Sequence, residues 1–443
     1  MDLLALDHDF HNFWGCILSV TELQDRPIAD ALVTQYWENP VKCERNYTKI
    51  LSQYIDKTFF NGTLPISFHG HVSDALSPGT VMSMLLRLAI FSQCDTPESI
   101  HAPSSLSKGQ LASLLGFTEL HVESPRWAVI EGAYAAGFGP LANLSAHAPF
   151  RDHATGNLGI GINLVGQSTA ALVTVLSEAK QQGCIGVIVE IVSNQFNGKI
   201  TTPEEFRTLC EACRETGLLL AVDETITALR CGAPFAYQRP EYQGGPKPDL
   251  VFFGKALGAQ GIGINFDGLQ LSRLGIQSPL RKRQAVNDWQ AVVTQPLYLP
   301  VLLDALGVLE MAVAGDWIGR SQKIGRYLRE KAQERAQTMR DNGKEVGNEV
   351  LGGLDSFIFV HKTVAVTFRV MGALSAGPGI GWIMAPHVAV ICLDVWRLKD
   401  CGRSGVFTAA PGRGGLSILG VRPAASIAVI MRLAYSNYWN INV

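Results

Sequence analysis

Three polar residues stand at positions where chemistry is possible. Glu190, Asp223 and Lys255 each follow a short apolar run: Ile185–Val189, Leu218–Val222, and Leu250–Phe253 with Gly254 after it. A carboxylate ending an apolar strand is costly to bury unless a cation or a hydrogen-bond donor meets it. A lysine amine at such an end loses solvation and with it basicity, which suits it to attack a carbonyl carbon and form a Schiff base. Taken singly, each residue reads equally well as a loop or salt-bridge residue.

The elements that must hold them alternate. Thr169–Gln181 carries helical periodicity. Pro203–Thr216 opens with Pro and two Glu in its first turn and stops at Gly217, the start and stop signals of a helix. Short, continuous apolar runs between helices predict parallel strands covered on both faces. The carboxyl ends of parallel strands share one edge, and ligands of open α/β sheets bind there. An acid for a protonated ring nitrogen and an amine for an aldehyde carbon, both on that edge, are the pair that pyridoxal phosphate needs.

The surrounding text is VIVE (187–190), GLLLAVDETITALRCG (217–232) and KPDLVFFGKALG (247–258). On these motifs, from roughly Gly79 to Gly268, the chain resembles the class III pyridoxal-phosphate-dependent aminotransferases of fold type I, with similarity to the glutamate-1-semialdehyde 2,1-aminomutase branch. Motif order agrees, and so does the interval of 32 residues from Asp223 to Lys255. The resemblance implies an α/β fold, with a large domain built on a mostly parallel seven-stranded sheet and a smaller C-terminal α/β domain. Residues 66–300 would form the large domain and 301–443 the small one, with 1–65 contributing to the latter. It also implies a homodimer with active sites at its interface.

Residue roles follow from the same resemblance. Lys255 would carry the cofactor and move the proton, Asp223 would keep the ring nitrogen protonated, and Glu190 belongs to the strand that ends in the family's Glu-Pro. Ser77-Pro78-Gly79-Thr80 resembles the turn that cradles the phosphate at a helix start. The family's Glu-Ala after Thr80 is missing, and an ordinary capped helix reads equally well. Tyr134, in GAYAAGFGPLANLS (132–145), falls on the position that stacks on the ring, with Ala135-Ala136 replacing His-Gly. Gln195 stands where ω-amino-acid transaminases carry a second Glu, which weighs against a GABA- or ornithine-type substrate. Thr294, in VTQPL (293–297), resembles in a shifted register the turn that reaches the neighbouring subunit's phosphate, and reads otherwise as a helix N-terminal turn. Arg230 would meet a substrate carboxylate or make a structural ion pair with a nearby loop.

The expected function is transfer of an amino group between a small amino donor and a keto acid or aldehyde acceptor. An aminomutase, epimerase or decarboxylase of the same fold is the first alternative. A catalytically weakened homologue serving as a partner subunit is the second. The net charge of −2 excludes nucleic acid or an anionic membrane as main partner. Charged residues make up 17% of the chain, against roughly 25% in an ordinary soluble domain, so much surface is hidden in a core or a subunit interface. The charge is uneven: Thr363–Val443 is +5, leaving −7 on residues 1–362. That tail reads as a divergent, Arg-rich substrate-facing surface or as a poorly specified terminus.

Other features offer no rival chemistry. Three Asp in the first nine residues and no basic lead argue against a secretory leader, and no run is long enough for a bilayer span. Nine scattered Cys point to reduced thiols in the cytoplasm. Cys210 and Cys213 fall mid-helix without a second pair, and His69-Gly70-His71 lacks a carboxylate or Cys to complete a metal site.

Overall fold

The computed structural model describes residues 38–70, 75–93, 106–130, 149–151, 158–193, 198–265, 279–299, 317–344, 351–361, 380–384 and 388–393, with a few single positions between them. The elements described below belong to one compact unit, Asn39–Lys399. Tyr134, Ala135, Ala136, Gln195, His71 and the basic residues of the tail lie outside the described residues. Among the described residues, no helix is long and apolar enough to cross a membrane.

The central sheet is built from β1 (Ile66–His69), β2 (Arg126–Ile130), β3 (Pro149–Arg151), β4 (Leu158–Ile162), β5 (Cys184–Val189), β6 (Leu219–Glu224), β7 (Leu250–Phe253) and β8 (Gln260–Ile264). Its order is β1-β8-β7-β6-β5-β2-β4-β3. β4, β2, β5, β6 and β7 are mutually parallel, whereas β8 runs antiparallel between β1 and β7. Seven strands make the expected mostly parallel sheet, and the three-residue β3 adds an antiparallel eighth at one edge.

Helices cover both faces. α1 (Pro40–Phe60) packs against the edge strand β1; one layer holds α2 (Pro78–Gln93), α3 (Lys108–Leu114), α4 (Glu119–Glu123) and, further along the chain, α7 (Pro279–Val293), with α2, α3 and α7 packed in one core with Trp127 and Trp289. The opposite layer is α5 (Thr169–Gln181) and α6 (Pro203–Thr216), packed on the second core. Both of these helices have the predicted bounds, for visible reasons. Ser168 caps α5 by accepting from Ala171 N. Thr202 and Glu205 form a reciprocal capping box on α6, Pro203 takes its first turn, and Gly217 ends it at φ 70°. Cys210 and Cys213 both face this core as buried thiols, and no group of three or more metal-binding side chains occurs among the described residues.

Strand alternation decides where the strand-end carboxylates go. In β6, Leu219 and Ala221 enter the first core, and Leu220 and Val222 the second. The strand does not stop at Val222 but runs through both carboxylates, because Asp223 and Glu224 are paired with Phe252 and Phe253 of β7. A period of two sends Asp223 and Glu224 to opposite faces of the sheet.

After α8 (Trp317–Asp341), a second, wholly antiparallel sheet of order β11-β12-β10-β9 is formed by β9 (Leu351–Leu354), β10 (Phe357–His361), β11 (Ile380–Met384) and β12 (Val388–Leu393). In the central sheet, β5 depends on a missing side chain. A Cβ on Gly186 would lie 2.6 Å from Leu219 O and 2.8 Å from the Trp127 ring. Gly186→Ala should therefore destabilise the protein by about 1–3 kcal/mol through overpacking. Urea unfolding measures this, and an unchanged midpoint would contradict the packing.

Candidate active site

The sheet brings Glu190, Asp223 and Lys255 to its carboxyl edge. Asp223 is 4% exposed, and its Oδ1 accepts from Thr225 N at 3.0 Å and Thr225 Oγ1 at 2.7 Å. Its Oδ2 accepts no hydrogen bond from the described residues. Burial pushes this carboxyl above the ordinary range, while the Thr225 donors and the charge of Lys255 pull it back down. One tied oxygen and one open oxygen make a site for a single cationic N–H donor, and a protonated pyridine nitrogen fits it.

Lys255 opens a one-turn 3₁₀ helix, Lys255–Leu257, directly after β7, and its side chain is exposed. Its φ of 45° lies in the left-handed region, uncommon for any residue other than glycine. Gly254 is where the sequence asked for backbone room, and the structure shows what fills it: a Cβ there would overlap Gln260 Oε1. Gln260, the first residue of β8, thus walls the backbone next to the lysine. Nothing in the motif text marked it.

The remaining described candidates are placed by their own elements, and Glu190 and Gly79 line separate clefts. Glu190 is buried just beyond β5, one strand from Asp223, and its carbonyl accepts from Thr201 Oγ1 at 2.9 Å. It lines a cleft of about 150 Å³ with Asn163, Ser193, Lys199 and Thr201. Gly79 and Thr80 stand in the first turn of α2, exposed and half-buried respectively. Thr294 follows the C-terminus of α7, and its neighbour Gln295 fastens that turn to the end of β1, through Phe68 O at 3.0 Å and Gly70 N at 2.8 Å. The Thr294 hydroxyl is buried without a hydrogen-bond partner among the described residues, and a phosphate oxygen would satisfy it. His69 ends β1, buried beside the Ser67 hydroxyl at 3.2 Å.

Arg230 is buried, and its guanidinium donates to Ile226 O at 2.7 Å, inside its own loop. Motif reading also gave Glu224 no role. Its carboxylate, on the face opposite Asp223, accepts from the Thr227 hydroxyl and from Ala236 N and Tyr237 N, both at 2.9 Å. Burial raises its pKa to about 7, helped by the like charge of Asp223 and opposed by these three donors.

No family model matches the chain. Over 123 residues it is 28% identical to the acetylornithine aminotransferase of Halalkalibacterium halodurans, a match covering 28% of this chain and 26% of that protein. The chain thus spans about a quarter of the length of the curated relative it matches. Among solved structures, the ornithine δ-aminotransferase of Plasmodium falciparum superposes with a TM-score of 0.50 at 12% identity, covering 87% of this chain and 84% of that one. A mutant of M. tuberculosis Rv3290c superposes at 0.52 and 15% identity, covering 84% and 80%. These superpositions establish the fold.

Glu224 gives that fold a pH signature. Its folded pKa stands above the unfolded value of 4.5, so its contribution is fully present below pH 4.5 and is lost as pH rises through about 7. The loss amounts to about 3 kcal/mol. Glu224→Gln has no proton to release and should flatten that part of the stability profile. Urea unfolding across this pH range reads the difference, and parallel profiles for the two proteins would contradict it.

Proposed function

We infer that this chain, which has the fold of the class III pyridoxal-phosphate aminotransferases, is itself an aminotransferase moving an amino group between a small amino compound and a keto acid or aldehyde. The observation that carries the reading is the pair at the carboxyl edge: a buried Asp223 with one open oxygen, within electrostatic reach of a Lys255 that begins on a left-handed backbone. Pyridoxal phosphate, when bound, supplies the electron sink that such a transfer requires.

The chain's own residues do the rest. Asp223 holds a proton on the ring nitrogen, and Thr225 fixes the carboxylate that does so. Lys255 would hold the cofactor through its amine and would carry the proton at the reacting carbon. The first turn of α2, with Gly79 and Thr80, would hold the cofactor phosphate, the buried hydroxyl of Thr294 would reach that of the neighbouring subunit, and Tyr134 is the residue that the resemblance assigns to stacking on the ring. Glu190 closes the edge one strand away. Residues 66–300 form the cofactor-binding domain in this reading, and 301–443 with 1–65 form the smaller one.

We place the enzyme in the cytoplasm as a homodimer. Cys43, Cys184, Cys210, Cys213 and Cys231 are buried thiols outside any disulfide, which suits a reducing compartment. Val292 and Tyr298, at the end of α7 and just after it, are 47% and 73% exposed, and apolar side chains so placed suit a subunit contact. Light scattering should give the mass of two chains, and a monomer would remove this part of the reading.

Purified wild-type protein with pyridoxal phosphate should show a visible absorbance band and release a keto product from an amino donor in a single half-reaction. Lys255→Ala should lose the band and slow turnover by at least about a hundredfold. A variant retaining both would overturn the assignment.

A further inference from the structure

The loop from Thr225 to Arg239 leaves β6 at the two carboxylates and returns to them. Thr225 ties its start to Asp223, while Ala236 N and Tyr237 N tie its end to Glu224. Its far side is fastened to another part of the chain altogether, the two-residue turn Asp355-Ser356 between β9 and β10. Arg239 Nη1 bonds to the Asp355 carboxylate and, at 2.8 Å, to Cys231 O. Arg230 O accepts three bonds: from Ser356 N at 3.1 Å, Ser356 Oγ at 2.9 Å and Ser321 Oγ of α8 at 2.9 Å.

The close approach was made possible by glycine on both sides. A Cβ on Gly232, in the loop, would overlap the Asp355 carboxylate, and one on Gly325, in α8, would overlap the Asp355 backbone. Asp355 itself sits at φ 43° and Leu229, within the loop, at φ 61°. Together with Lys255 they are three of the four non-glycine residues at positive φ among those described. Such conformations persist where the surroundings over-determine them.

We propose that the Asp355-Ser356 turn is a positioning clamp, which holds the 225–239 loop and through it fixes the Asp223 carboxylate where the cofactor's ring nitrogen must meet it. Asp355 and Arg239 are positioning residues. The proposal rests on the reading of Asp223 as the cofactor's partner. Thr225 is the sole described hydrogen-bond donor to Asp223, and without the clamp the loop that follows it keeps only its ties to Glu224 and to α1, through Gln238 Nε2 on Phe59 O and the packing of Phe235 on Phe59 and Phe60.

The test uses the full chain with Asp355→Asn, which keeps the size of the side chain and tolerates the left-handed backbone but loses the charge. Two quantities are read: hydrogen exchange at the amides of residues 225–239 without added cofactor, and the dissociation constant of pyridoxal phosphate by absorbance titration. Faster exchange at Thr225, Ala236 and Tyr237 is expected, with affinity for pyridoxal phosphate weakened about tenfold. Should the Asn variant fail to fold, Ser321→Ala, which removes one of the three bonds to Arg230 O, is expected to move both quantities the same way by less. Lys331→Ala, in an exposed pair with Glu334, should move neither. Unchanged exchange, or faster exchange at unchanged affinity, overturns the clamp. If the wild type binds no pyridoxal phosphate, the proposed function fails, and the exchange result alone decides whether the turn holds the loop.

Discussion

Burying two neighbouring carboxylates at the end of one strand is the constraint around which this part of the molecule is organised. β6 places Asp223 on one face of the sheet and Glu224 on the other, each within a few per cent of complete burial. An unpaired carboxylate in such a place is strongly disfavoured, so each has been given donors. Glu224 takes them from the returning loop and closes it. Among the described residues, Asp223 receives donors on one oxygen only. One acid takes donors on both oxygens and the other on one, and this asymmetry distinguishes two residues that the sequence presents as equals.

The lysine is held by a different means. Its backbone defines where it begins, through a left-handed φ and a glycine pressed against Gln260. Its side chain is left exposed at the sheet edge, as an amine that must reach a ligand needs to be. The fold thus fixes where the lysine begins, whereas for the aspartate it fixes the charged group itself.

Local signals told most of this in advance. The apolar runs ending in Glu190, Asp223 and Lys255 were readable because continuous burial on both faces leaves a simple trace, and α5 and α6 were readable to their last residues because caps, Pro and Gly mark both ends. Strand β6 extended beyond its apolar run because pairing with β7, not hydrophobicity, decides where it stops. Gln260 and the Asp355 turn left no trace. Gln260 acts through a close approach to Gly254, a matter of shape, and Asp355 meets Arg239 across 116 residues of chain. A single Asp between a strand and a strand reads only as a turn residue. Arg230 carries a use that its type does not announce: beside the guanidinium's bond to Ile226 O, its backbone oxygen accepts bonds from Ser321 and Ser356.

The two halves of the proposed catalytic pair also differ in how far the chain must search to build them. β7 and β8 form an antiparallel pair joined by only residues 254–259, so the setting of Lys255 depends on contacts between near neighbours in sequence. The setting of Asp223 needs β9 and β10, more than a hundred residues away, and the outer edge of the same hairpin needs β1, whose Ile66 pairs with Gly263. Closing long loops is entropically slow, and short ones close early. During folding, the lysine hairpin can therefore take shape while the aspartate's loop is still unfastened, so that a ligand able to bridge the two would meet a competent partner for its ring only after a segment more than a hundred residues away has arrived.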